Sequence, residues 1–177
     1  MTAGPFPDLE ADLVQAAAAG DQAAFRTLWA GAERRAYALC VRLTGSHADA
    51  ADALQETQIA AWRGLGRFTG TCSFAVWVYA IARNAALGVL RTRTRRGEVD
   101  LDSVADPATG PFTDAVGDTL DVRAALATLP ARHREAVLLW ASGLTYAQIA
   151  TVMTAPTNSI RVWIHRARHT LRDRLSP

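Results

Sequence analysis

Two groups of side chains in this 177-residue chain have the types and spacing to do chemistry. The first lies in SFAVWVYAIARN, where Tyr79, Ala80, Arg83 and Asn84 share one side of a helix. An aromatic ring, a guanidinium and a carboxamide side by side can stack on an unpaired base, hold its phosphate and hydrogen-bond its edge. This face is expected to be exposed, apart from the buried stripe Phe74, Val78, Ile81, Ala85 and Val89. A half-buried tyrosine beside a surface arginine is the plainer reading. The second group lies near the C-terminus, where Arg161, Arg166, Arg168, Arg172 and Arg174, with His165 and His169, face a single acid, Asp173. A helix so charged suits a phosphate-lined groove, although a solvated basic face would look the same in isolation. His165 and His169 stand at i, i+4 like a metal pair, but no carboxylate lies between them as HExxH requires and Asp173 is a poor third ligand. No metal or cofactor is expected.

These groups need helices to position them, and the sequence marks where helices begin and end. Thr145 with Gln148 is a capping box and Leu144 can staple onto Ile149, so a short helix starts at Thr145. Thr154-Ala155-Pro156 breaks it, and Ile160, Ile164, Ala167, Leu171 and Leu175 then form the buried stripe of a longer helix. Together they read as a helix-turn-helix. Before it come LDVRAALATLP, ended by Pro130, and ARHREAVLLWASG, with Val137, Leu138 and Trp140 expected inward and Gly143 as its stop.

In the first half a helix from Leu9 to Ala19 stops at Gly20, and Asp21 caps the next, which runs from Gln22 to Leu43 and ends at Gly45. Ser46 and Asp49 form another capping-box pattern opening ADAADALQETQIAAWRGL, where Leu54, Ile59 and Trp62 are expected to look inward. Asp49, Asp52, Gln55 and Glu56 crowd its early turns, where the helix dipole alone would favour acids. A glycine-marked loop, RGLGRFTGT, leads to Ser73, which caps the helix carrying Tyr79. That helix ends in Arg91, Arg93, Arg95 and Arg96, which suit its C-terminal dipole and could also grip a nucleic-acid backbone.

Composition sets the outer limits. Half the residues are apolar, enough for a core, and the net charge is only +2, yet all nineteen basic residues are arginine and they cluster. The apolar runs are broken well before the roughly 20 residues of a membrane span, and the N-terminus lacks a signal-peptide pattern, so a cytoplasmic protein without membrane insertion is expected. Cys40 and Cys72 are far apart and outside any CxxC spacing, and read as buried or half-buried thiols. Residues 97–119 contain Glu98, Asp100, Asp102, Asp106, Asp114 and Asp118 among prolines and glycines, with no basic residue. This reads as a flexible acidic linker, either a solvated spacer or a mimic of a nucleic-acid strand in a positive channel. The expected fold is all-α, with two small helical domains, 1–96 and 120–177, joined by that linker.

Assembled in this order, DAADALQET with IAAW, SFAVWVYAIARN, LATLPARHREAVLL, and GLTYAQIA with HRARHTLR resemble the extracytoplasmic-function sigma factors, the compact initiation factors with only region-two and region-four domains. The resemblance covers nearly the whole chain. It implies a factor without catalysis of its own that binds core RNA polymerase, recognises minus-10 and minus-35 promoter DNA and helps melt the start site. It implies Asp49, Asp52, Gln55 and Glu56 as polymerase contacts, and Tyr79, Arg83 and Asn84 as the minus-10 site, with the loop from Gly64 to Thr71 completing a pocket for a flipped base. It implies Ser159, Arg161, His165, Arg166 and Arg168 at minus-35, with Arg161 reading a base and Arg166 and Arg168 holding phosphates. It favours the strand-mimic reading of the acidic linker, and admits an anti-sigma factor as a further partner. The chain departs from the pattern at Thr154 and Asn158, where glycine is usual, so an altered turn is expected. Val162 and Trp163 replace a polar and basic pair, and an unusual minus-35 sequence is expected. Ala75, Val76 and Ala80 stand where polar or basic residues are common. The alternative, a helix-turn-helix regulator acting without polymerase, leaves DALQET and the Tyr79–Asn84 face unexplained.

Overall fold

A computed structural model describes residues 7–96 and 120–175; the acidic linker at 97–119 lies outside the described residues. The described chain is helical, with no strand: α1 (Pro7–Ala18), α2 (Gln22–Thr44), α3 (His47–Gly64), a 3-10 turn (Leu65–Arg67), α4 (Phe74–Arg96), α5 (Leu120–Ala127), α6 (Ala131–Ala141), α7 (Tyr146–Met153) and α8 (Thr157–Leu175). The all-α fold expected from the sequence is the one observed. The helices fall into two compact units, α1–α4 and α5–α8, with the division at residues 100/101.

Local chemistry sets the helix ends. Asp21 caps α2 by accepting from the amides of Ala23 and Ala24 at 2.8 and 3.2 Å, and Gly45 closes it at φ 70° while its amide bonds to the Val41 carbonyl. Ser46 caps α3 through the Asp49 amide at 3.3 Å. The other half of that expected capping box is absent, because the Asp49 carboxylate turns to Arg93 of α4 at 2.8 Å. Ser73 accepts from the Val76 amide at 3.4 Å, and Glu10 of α1 accepts from the Phe74 amide at 2.9 Å, so α4 is capped by a side chain 64 residues away.

In the first unit α2 and α4 pack most extensively, with α3 against both. The seams are lined by small side chains: Ala32, Ala36 and Cys40 of α2, Ala50, Ala53, Thr57 and Ala61 of α3, and Ala82 and Ala86 of α4 are fully buried. Thr57 satisfies its buried hydroxyl on the Ala53 carbonyl at 2.6 Å. At one end an aromatic group closes the unit, with Phe25 edge-on to Trp62 at 5.0 Å and Phe68 beside Trp77 at 5.1 Å. Gly64 belongs to this group, since a Cβ there would meet the Trp77 ring at 3.3 Å.

This packing corrects two expectations. Ile59 of α3 does not look inward, being 45% exposed, and Trp62 packs only in part, against Phe25, with 37% of it exposed. The stripe of α3 that meets its neighbours is Ala50, Ala53, Thr57 and Ala61, so the helices approach too closely to admit larger residues. In α6, Trp140 is likewise 38% exposed and Leu138 only half-buried, because Ala136, Val137 and Leu139 take the inner face. The second unit is centred on Leu139, Ile149, Ile160 and Ile164, with Leu129, Val137 and Ala167 packed beside Leu126 and Leu171.

The turn between α7 and α8 places a non-glycine residue in a conformation that favours glycine. Thr154 ends α7 at φ 51°, ψ 53°, and among the described residues no other non-glycine residue has positive φ. A β-branched residue in this left-handed region costs roughly 1–2 kcal/mol. Glycine would remove that strain and return part of the gain as unfolded-chain entropy. Thr154→Gly is therefore expected to stabilise the protein by about 0.5–1 kcal/mol in a thermal melt. A variant no more stable than the parent would show that the turn stores no strain.

Candidate nucleic-acid interfaces

Helix α8 has one buried side and is cationic elsewhere. Ile160, Ile164 and Ala167 are buried, while Arg161, His165, Arg166, Arg168 and Arg172 are exposed and Ser159 is half-buried. Arg161, His165, Arg168 and Arg172 follow one another at helical spacing along one flank; Ser159 and Arg166 lie on the other. The only acid of this helix, Asp173, accepts from His169 at 2.7 Å and so does not offset the arginines of that flank. Arg168, expected to hold a phosphate, lies with its guanidinium 4.8 Å over the ring of Trp140. Such stacking leaves in-plane N–H donors on the group.

Short capped α7 carries α8. Both bonds of the Thr145 box form, the Thr145 amide to Gln148 at 2.9 Å and the Gln148 amide to Thr145 at 3.3 Å, with Leu144 and Ile149 buried beneath. Asn158 does not open α8 in a left-handed conformation, since the helix already begins at Thr157. Val162 is 45% exposed, whereas Trp163 is half-buried, with the Arg132 guanidinium 5.6 Å above its ring and His133 stacked at 6.5 Å.

On α4 the expected exposed face is only partly present. Tyr79 is 4% exposed, and its hydroxyl faces Arg35 of α2. Burial raises its pKa, and the Arg35 charge and hydrogen bond pull it back. Its placement follows from α4 packing against both α2 and α3, which widens the buried side to Val76, Val78, Tyr79, Ala82, Ala85 and Ala86 and leaves Ile81 and Val89 half-buried. Arg83 and Asn84 do come together, the Arg83 guanidinium donating to Asn84 Oδ1 at 3.2 Å, with Asn84 exposed.

On α3, Asp52, Gln55 and Glu56 are exposed, while Asp49 is half-buried and held by Arg93. That ion pair also draws Arg93 away from the terminal basic cluster and ties α4 to α3. Ile59 and Trp62 continue the exposed side of α3 beyond Gln55 at helical spacing. Their place on this surface could have been read from the alanine stripe that excludes them from the core. Of the two thiols, Cys40 is buried against the Ala82 carbonyl at 3.8 Å and burial pushes its pKa up to about 12. Cys72 is half-buried and raised by burial and then by the Glu10 charge. Among the described residues no group of three metal-ligating side chains is assembled.

Comparison with known proteins gives these surfaces their context. The Sigma-70 region 2 family matches residues 28–96 and the Sigma-70 region 4 family residues 119–171. The RNA polymerase sigma-H factor of Pseudomonas aeruginosa is 33% identical over 181 aligned residues, covering 93% of each chain. The chain belongs to the extracytoplasmic-function sigma factors. The sigma-E factor of Escherichia coli K12 is 30% identical with 93% of each chain covered, and SigE of Mycolicibacterium smegmatis is 34% identical over 174 residues, 90% of this chain and 65% of that one. Among solved structures, a Bartonella quintana sigma factor bound to the anti-sigma factor NepR aligns with TM-score 0.69 and 27% identity, covering 85% of this chain and 96% of that one. CnrH bound to the cytosolic domain of CnrY aligns with TM-score 0.69 and 28% identity, covering 94% and 96%. In this sigma factor, α2, α3 and α4 fall to region two, and α5 to α8 make up nearly all of region four. A regulator acting through region four alone would leave the region-two match without a purpose.

His133 is where region four is expected to respond to pH. Burial first, and then the nearby Arg166 charge, lower its pKa below the ordinary imidazole value of 6.5. Its stabilising contribution is therefore complete above that value and lost as pH falls through the lower folded-state pKa. Acidifying from about pH 7.5 to about pH 5 should lower the melting temperature, and His133→Gln should reduce that drop. Equal pH dependence in both proteins would remove His133 as the cause.

Proposed function

We propose that this sigma factor joins core RNA polymerase in the cytoplasm and directs it to promoters, with α8 in the minus-35 major groove and α4 on the melted minus-10 strand. What carries the reading is the exposed basic flank of α8 beside its buried stripe, on a helix aimed by a capped α7. Arg161 is the proposed base reader, with Ser159, His165, Arg166 and Arg168 around it on the backbone. At minus-10, Asn84 meets the base edge and Arg83 the phosphate, while Tyr79, being buried, serves as the floor beneath them rather than as an exposed stacking platform. On α3, Asp52, Gln55 and Glu56 contact polymerase together with Ile59 and Trp62, and Asp49 acts through its bond to Arg93. The functional domains are 1–96 and 120–177, with 97–119 as the connector between them. The protein has no catalysis of its own. An anti-sigma protein is a proposed partner, by analogy with the two complexes described above.

Run-off transcription with purified core polymerase over a promoter library tests the whole reading: initiation from a subset of promoters is expected, and specific duplex binding with no initiation would refute it. Within it, Asn84→Ala should impair open-complex formation and leave minus-35 binding intact; equal loss of both would contradict the division of labour. Arg161→Ala should cost roughly 1–3 kcal/mol at one promoter position, and a loss independent of sequence would make Arg161 a phosphate contact.

A further inference from the structure

Region four also contains a cation outside the helix-turn-helix. Two tryptophans bridge α6 and α8, each beneath an arginine of the opposite helix: Trp163 of α8 under Arg132 of α6, and Trp140 of α6 under Arg168 of α8. By helical spacing Trp163 and Arg168 flank the buried Ile160–Ile164–Ala167 stripe on opposite sides. The Trp163 side also carries Ser159 and Arg166, and Arg166 is close enough to His133 for its charge to act on that ring. Arg132 and Arg166 thus bring two positive charges to the edge of α8 with the neutral His133 ring between them, and among the described residues no carboxylate pairs with Arg132. Like charges brought together without a counter-ion are unfavourable for the free protein and become favourable when a phosphate enters.

We infer that Arg132 is an additional phosphate contact for the promoter backbone beside the minus-35 element, and that Trp163 is the positioning residue that holds it there. The inference rests on the placement of α8 at minus-35. Arg132 is exposed in the first turn of α6, and its guanidinium lies 5.6 Å over the Trp163 ring of α8. An arginine stacked in this way has already lost much of its rotamer freedom before DNA arrives, and its edge donors suit a phosphate. The exposed arginine at position 132 and the tryptophan at position 163 therefore act as a unit: Trp163 adds no charge to the groove itself, but places a charge from a neighbouring helix at its edge.

The test is the salt dependence of promoter binding by holoenzyme reconstituted with core polymerase, using a promoter fragment selected in the transcription library. Arg132→Met retains an apolar cover over Trp163 and removes the charge; the slope of log affinity against log salt should fall by about 0.9. The loss of affinity between about 50 and 200 mM salt should then be roughly threefold smaller than for the parent. Arg132→Lys should keep the parental slope. Trp163→Leu should lower the slope as Arg132→Met does, and adding it to Arg132→Met should cause no further fall, a coupling that a purely structural tryptophan would not produce. An unchanged slope in Arg132→Met, with Arg161→Ala still weakening promoter binding, would overturn the inference and leave α8 at minus-35. If neither variant affects promoter binding, the placement of α8 fails and the inference with it. Should Trp163→Leu melt near the assay temperature, the Met and Lys variants of Arg132 decide the matter.

Discussion

The one-sided burial of α8 is the constraint on which region four depends. A helix with this density of arginine repels itself, and nothing but apolar packing along a single stripe can hold it in a fold. Ile160, Ile164 and Ala167 supply that stripe, and Leu139 and Ile149 lie with them in the buried centre of the unit. Burying three such positions leaves the rest of the circumference available, so the same packing that stabilises the unit also displays Arg161, His165 and Arg166. Truncating Ile160 or Ile164 would lose on the order of 2–5 kcal/mol and the presentation of the arginines together. Stability and recognition here are two faces of one helix.

The cations that remain are then ordered by what lies under them. Trp140 and Trp163 hold Arg168 and Arg132 by their faces, and His169 takes Asp173 out of the way. Region two reaches a similar end by other means. Its alanine seams bring α2, α3 and α4 close, and this pushes the large residues Ile59 and Trp62 outward onto the surface that also bears Gln55 and Glu56. The Asp49–Arg93 ion pair and the Glu10 cap on Phe74 tie distant turns together, each fixing a helix end that local sequence leaves incomplete.

What could be read from the sequence was local. Asp21, Gly45 and the Thr145–Gln148 box mark helix ends through bonds a few residues long, and those bonds form as read, whereas of the Ser46–Asp49 box only the Ser46 half forms. The stripe of α8 was legible from Ile160 to Ala167, because a single partner face gives one clean period, but it does not run to the end of the helix: Leu171 is half-buried and Leu175 is 41% exposed. Helix α4 was less so: with α2 on one side and α3 on another its buried arc is broad, and Tyr79 fell inside it rather than on the exposed face. Trp62 and Trp140 depart from the inward placement that their size suggests because alanine, not the large apolar side chains, decides how close these helices come. Glu10 at Phe74 could not have been foreseen, since no periodicity links residues 64 apart. At Thr154 the sequence pointed to an altered turn, whereas the residue adopts the left-handed conformation that suits glycine and carries the strain itself.

The central claim is that two surfaces of one chain meet two forms of promoter DNA: α8 the duplex at minus-35, and the Arg83–Asn84 corner of α4 the open strand at minus-10. Photocrosslinking from single positions in the assembled open complex tests this most directly. A crosslinker at position 162, beside Arg161, should label the minus-35 duplex, and one at position 84 the non-template strand of the minus-10 element only after melting. Labelling from position 84 that is equal on closed duplex and open complex, or from position 162 that misses the minus-35 element, would contradict the account.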